Sequence, residues 1–116
     1  MNTSIQNAEV ALRVRRASRF FQRAKGLLFT KKYPEEFDGL FIVPCSSVHT
    51  LGMKYGIDLV FIDRGLRVIK VKRSVKPGRP FVSCRGAYGV LELRENAAAF
   101  ISIGQQIHVH CVKNYT

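Results

Sequence analysis

Residue types that do acid–base or nucleophilic chemistry crowd into one apolar stretch, PCSSVHTLGMKYGIDLVFID, residues 44–63. Cys45 is a candidate nucleophile and His49 a candidate base, the pairing that a thiol hydrolase or transferase needs. The thiolate is the reactive form, so such a site requires exposure and a lowered pKa. On an extended segment, residues four apart share a face but stand ~13 Å apart, so the pair meets only if residues 45–49 turn. The alternative for Cys45 is a buried thiol behind Pro44 that packs as a small hydrophobe. His49 titrates near neutrality and can hold an anion or a metal; its alternative is a structural histidine bonded to a backbone carbonyl or to Asp58. Asp58 shares a strand face with Val60 and Ile62, where a carboxylate is costly without a partner. His49, Arg85 and backbone amides are the candidate partners, and a His49–Asp58 dyad would fix the imidazole tautomer. Thr50 joins His49 as a candidate ligand contact. Met53 reads as core, and Asp63 as a turn residue.

Two further sites need weighing. Glu92 alternates with Val90 and Leu91, so it is either a second inward acid or an edge charge paired with Arg85 or Arg94. His108 and His110 stand i, i+2 on one strand face, a spacing that can chelate zinc or copper; the alternative is a polar outer face. The chain has no CxxC, HExxH, P-loop, GxSxG or dinucleotide-binding pattern, so the expectation is no metal and no cofactor.

The elements that must position these residues are short. Residues 9–14 alternate as a first strand. Ser18 is placed to cap a helix through ASRFFQRAKGLLF, with Gly26 near its end. GLFIV (39–43), residues 47–53, GIDLVFID, LRVIKVKR, AYGVLEL and QIHVHCV read as strands, and RENAAAF as one or two helical turns. In GIDLVFID, Ile57, Leu59 and Phe61 point one way and Val60 and Ile62 the other, so both faces are covered. Asp63-Arg64-Gly65 is a hairpin signal, and KPGRP (76–80) a loop. The expected fold is mainly β (α+β by strict count): a single small antiparallel β-barrel or sandwich carrying one or two short helices. It spans residues 1–116 as one domain, with flexible ends at about 1–7 and 113–116.

Composition narrows the function classes. Of 116 residues, 47% are hydrophobic and 23% charged, ordinary for a globular domain. Cys45, Cys84 and Cys111 are three thiols with no close pair, which points to a reducing cytoplasm rather than a disulfide framework. No apolar run approaches the ~20 residues that span a bilayer. The arginine-interrupted N-terminus does not read as a secretory signal. The formal charge of +11 is the unusual feature. Eight Lys/Arg fall between Val10 and Pro34 and eight more between Arg64 and Leu91, both stretches free of acids. Such blocks attract nucleic acid or anionic membrane surfaces, or simply solubilise the protein.

Several segments together resemble one family of small prokaryotic proteins, catalogued as number 192 among the domains of unknown function. They are Ala17 with Arg23, Lys25, Gly26, Leu27 and Leu28, then GLFIVPCSSVHTLGMKYGIDLVFID, a V.KV segment with a Pro/Arg loop, GVLEL, and an IG..I ending. The resemblance runs from about Ala8 to about Val109. It implies a compact, mostly β domain and no established reaction, and it places His49, Thr50, Met53, Asp58 and Glu92 in signature segments. Leu51 stands where that family usually has an aromatic, and Asn96 where glycine is common. Many members also carry an export signal, which is not seen here.

The leading expectation is a small soluble binding module, a monomer or weak dimer, rather than an enzyme. Its polar pocket around residues 45–58 would take an unknown small or anionic ligand. His49 and Thr50 would be contacts, Asp58 an orienter, Arg85 the anion holder and Glu92 a further lining residue. The alternatives are a hydrolase or transferase using His49 and Cys45, and an accessory protein binding nucleic acid or an anionic membrane surface through the basic blocks.

Overall fold

The computed structural model describes residues 9–17 and 31–114. Eight strands form: β1 (Val10–Ala17), β2 (Gly39–Ile42), β3 (Ser47–Val48), β4 (Ile57–Ile62), β5 (Val68–Val75), β6 (Val82–Ser83), β7 (Gly89–Arg94) and β8 (Ile107–Asn114). Six make one sheet in the order β5-β4-β7-β2-β1-β8, and β3 pairs with β6 in a separate ribbon. The protein is mainly β, as expected.

Three expectations are corrected. The large sheet is mixed, because β1 runs parallel to both β2 and β8; hydrophobic alternation marks a strand but not its pairing direction. A parallel neighbour needs a long crossover, and the chain between Ala17 and Gly39 is long enough for one. The sheet is also not a closed barrel. Its edge strands β5 and β8 are tied only where they begin, through the Arg67–Gln106 bridge and the bonds Val68 N to Gln105 O (2.9 Å) and Ile107 N to Leu66 O (2.8 Å). Finally, RENAAAF is a chain of turns, with Ala97 N donating to Arg94 O, Ala99 N to Asn96 O and Ile101 N to Ala98 O. Asn96 at φ 76° breaks the helical path, which explains why glycine suits that position.

No described residue is helical, and the helix expected from Ser18 lies outside the described residues. Of the ends expected to be flexible, residues 113 and 114 belong to β8; the others lie outside the described residues. Within 47–53 only Ser47 and Val48 are a strand; Met53 N then closes a turn onto Thr50 O at 3.1 Å.

The two-faced reading of β4 is what the core uses. Ile57, Leu59 and Phe61 pack on one face with Leu40, Ile42, Val90, Tyr33, Phe37 and Met53. Val60 and Ile62 pack on the other with Phe41, Leu91, Leu93, Ala98, Ile101 and Ile107. All six β4 residues are buried, so the run is continuous rather than alternating in polarity. Asp63 makes the predicted hairpin turn: its Oδ1 accepts from Gly65 N and Arg67 N, both at 2.9 Å, and β4 and β5 pair antiparallel.

Candidate functional site

The polar residues of the 45–58 segment divide into those the fold consumes and those it leaves exposed. Thr50 is fully buried. Its Oγ1 donates to Lys76 O at 2.7 Å and accepts from Arg79 N at 2.8 Å. Its backbone N donates to Arg79 O (2.8 Å) and its O accepts from Gly78 N (2.9 Å). Four hydrogen bonds therefore pin the 76–80 loop to one threonine.

Asp58 is likewise fully buried. The β4–β5 register shifts between Ile57 and Leu59, and the bulge it creates leaves the amide of Ser74, at φ 53°, outside the ladder. Asp58 Oδ1 takes that amide at 2.8 Å, and Oδ2 takes Ala98 N at 2.8 Å. Of the partners proposed for Asp58, backbone amides are the ones it has. The expected His49–Asp58 hydrogen bond is not formed, and neither Asp58 oxygen is bonded to Arg85.

His49 is exposed. Its Nδ1 accepts from Leu51 N at 3.2 Å, which places the proton of the neutral ring on Nε2. This partner lies two residues away along a turn that strand periodicity does not register. Cys45 is half-buried; its Sγ donates to Ser47 O at 3.2 Å and its N to Tyr88 O at 2.9 Å. Arg85 is exposed in the turn after β6.

Glu92 is neither an edge charge nor a salt-bridge partner of Arg85 or Arg94. It sits on central strand β7, between Leu40 of β2 and Leu59 of β4, on the face shared with Val90. It is 5% exposed, and burial pushes its carboxyl up from 4.5 to about 8. The Tyr33 hydroxyl donates to Glu92 backbone O. Burial, and secondly the Glu92 charge, raises the Tyr33 phenol above its usual range. The Arg94 guanidinium lies 4.9 Å from the Tyr33 ring centroid and donates to Pro34 O at 2.9 Å.

His108 and His110 point outward on β8, where His108 Nε2 meets Glu9 Oε1 at 2.8 Å. No group of three His, Cys, Asp or Glu side chains able to hold a metal forms among the described residues. A shallow cleft of about 260 Å³ lies near the start of β8, lined by Glu9, Arg67, Gly104, Gln105 and Gln106; none of its lining belongs to the 45–58 segment.

Of the first basic block, Arg13, Arg15 and Arg16 fall on β1, with Asp38 accepting from Arg13 N at 2.8 Å, and Lys32 faces Glu35 at 3.6 Å; Arg19, Arg23 and Lys25 lie outside the described residues. The second wraps the β5 edge, separated from β1 by β4, β7 and β2. Arg64, Arg67, Lys72, Arg73, Lys76, Arg79 and Arg85 are exposed there, and Lys70 reaches across to Ser83 O at 2.7 Å. Arg73 is held by Ala98 O (3.0 Å) and Ile101 O (2.6 Å), and Arg67 by Gly104 O (3.0 Å). Backbone carbonyls orient these cations without neutralising them. Among the described residues, salt bridges form only at Lys32–Glu35 and Glu9–His108. Sequence reasoning missed Phe81, which is 75% exposed beside this surface. Its one signal is an aromatic following Arg79-Pro80 with no periodic apolar partner.

The fold and these segments define a class without an assigned reaction. The family model described as "Uncharacterized ACR", number 192 among the domains of unknown function, matches residues 2–109. The chain belongs to that family. A UPF0127 protein of Thermococcus sibiricus is 30% identical over 102 residues, covering 82% of this chain; the chain spans 64% of that relative's length. A protein of unknown function from Novosphingobium aromaticivorans has a similar structure, with TM-score 0.70 at 22% identity over 78% of this chain and 70% of its own. A proposed transcription regulator from Sinorhizobium meliloti also scores 0.70, at 18% identity over 78% of this chain and 76% of its own. At those identities the likeness concerns the fold. No helix among the described residues is long and apolar enough to cross a membrane.

Proposed function

We propose that the protein is a small binding module for anionic polymers, working through the cationic surface around β5. One observation supports this reading: eight Lys/Arg lie between Arg64 and Arg85, on edge strand β5 and its flanking loops, and no described carboxylate forms a salt bridge with any of them. A lattice of unneutralised cations raises the local concentration of a polyanion and gains free energy by releasing its counterions. In this reading His49 and Arg85 are contacts at the rim of that surface. Thr50 and Asp58 hold the loops that present it, and Glu92 does not touch the ligand. Cys45, Cys84 and Cys111 are not joined in a disulfide, which fits work in the reducing cytoplasm.

The test is the salt dependence of binding to inorganic polyphosphate. Affinity should fall steeply with salt, and the triple variant Lys72→Glu, Lys76→Glu, Arg79→Glu should lose at least ~10-fold and flatten the salt slope. Weak, salt-independent binding by the wild-type protein would sink the proposal.

A further inference from the structure

We infer that the polymer is a single-stranded nucleic acid, with a base stacked on Phe81 beside His49 and its phosphates held by Lys76, Arg79 and neighbouring cations. This rests on the polyanion reading and gives that surface its partner. Polyphosphate needs only charge. A nucleic acid strand also offers flat aromatic faces, and it is recognised by aromatics standing exposed among cations. Phe81 meets that condition, being 75% exposed and flanked by Arg79 and Arg85 in a segment without acids.

The surroundings make it a platform rather than a loose side chain. The β3–β6 ribbon pairs Val48 with Val82, so His49 and Phe81, both exposed, stand immediately beyond that pair on its two adjacent segments. The ribbon is clasped by the Ser47 Oγ–Ser83 Oγ hydrogen bond at 2.7 Å. On the other side of Phe81, the loop carrying Lys76 and Arg79 is fixed by the buried Thr50 hydroxyl. Two exposed ring-bearing residues and the cations of the 76–80 loop are thus carried on pinned backbone, so little backbone ordering cost remains to be met on binding.

A bilayer fits this surface less well. Leu51 is the exposed large aliphatic residue nearest to Phe81 in the ribbon pairing. The exposed Phe100 and Ile103 belong to the turns that pack on the other face of the sheet through Ala98 and Ile101, whereas Val82 packs on the first. Membrane docking relies on several apolar side chains inserted together. A duplex fits poorly too, because its bases are already stacked and paired.

Fluorescence anisotropy should be run with labelled oligo-dT and oligo-U of about 12 nucleotides, a duplex of equal length, inorganic polyphosphate, and phosphatidylserine vesicles. Phe81→Ala should weaken oligonucleotide binding roughly 5- to 100-fold, change polyphosphate affinity less than about twofold, and keep the wild-type melting temperature. Phe81→Trp should retain or tighten oligonucleotide binding. The oligo-dT and oligo-U arms distinguish DNA from RNA as the source of the strand. The inference is overturned if Phe81→Ala spares oligonucleotide binding, if it weakens polyphosphate equally, if the duplex binds as tightly as the single strand, or if the loss is confined to vesicles. In those cases polyphosphate binding by the wild-type protein still stands. If the wild-type protein binds no polyanion, the broader reading and this one fall together.

Discussion

Asp58 and Glu92 are both carboxylates on strands buried on either face, and the sheet treats them in opposite ways. Asp58 receives two backbone amides, from Ser74 and Ala98, so its charge is solvated by the protein itself. Glu92 lies between Leu40 and Leu59, and burial raises it to about 8. Folding therefore takes up a proton at Glu92 between about pH 4.5 and 8. Its contribution is most favourable below the unfolded value and is lost as pH rises through the folded one. Glu92→Gln should flatten this pH dependence and stabilise the protein above pH 8 by on the order of a few kcal/mol. Urea melts of both forms from pH 5 to 9 check it; parallel curves would refute it. The need for a partner at Asp58 was legible in the sequence, because an acid among Val60 and Ile62 demands one. Which partner was not, because the bulge that frees the Ser74 amide is a property of strand pairing.

At the scale of elements, that same carboxylate joins β4 to the β5 bulge and to the 95–101 turns, which seal the core with Ala98 and Ile101. The Ala98 amide is spent on Asp58 instead of on the Arg94 carbonyl that a helix would use, so the alanine-rich segment whose composition suggests a helix remains a series of turns. Asp58→Ala should leave the buried Ala98 amide and the part-buried Ser74 amide unpaired and cost roughly 1–4 kcal/mol, read as a lower denaturation midpoint. A loss below ~1 kcal/mol would show that the bulge repairs itself. Gly89 marks a second joint: a Cβ there would meet the Phe41 ring at 2.7 Å and Ile42 O at 3.2 Å. Gly89→Ala should therefore destabilise by roughly 1–3 kcal/mol, and an unchanged melting temperature would contradict this. The strands themselves were readable, from β4's two apolar faces to the Asp63 hairpin. The parallel pairing of β1 was hidden, since it depends on partners far along the chain.

At the scale of the molecule, the excess positive charge has an uneven distribution that composition alone could not reveal. Among the described residues, Lys32 of the first block forms a salt bridge with Glu35, whereas no cation from Arg64 to Arg85 forms one. Edge strands are open to pairing with other chains, and cations along them oppose it, so the β5 charges also protect the sheet's open side. What the sequence made legible is the 45–58 segment as a concentration of polar groups; the fold sets it against the exposed 76–80 loop through Thr50. The segment's most polar members, Thr50 and Asp58, turned out to be ties to neighbouring parts of the chain.

The sheet places β1 between β2 and β8, so the first strand waits for the last. On a ribosome, residues 10–17 emerge early, yet half of their ladder exists only after residues 107–114 have been made. Such long-range pairing slows folding and leaves the β8-facing edge of β1 unpaired during synthesis. For this protein the interval between the two strands is the moment of greatest exposure to aggregation and to chaperones.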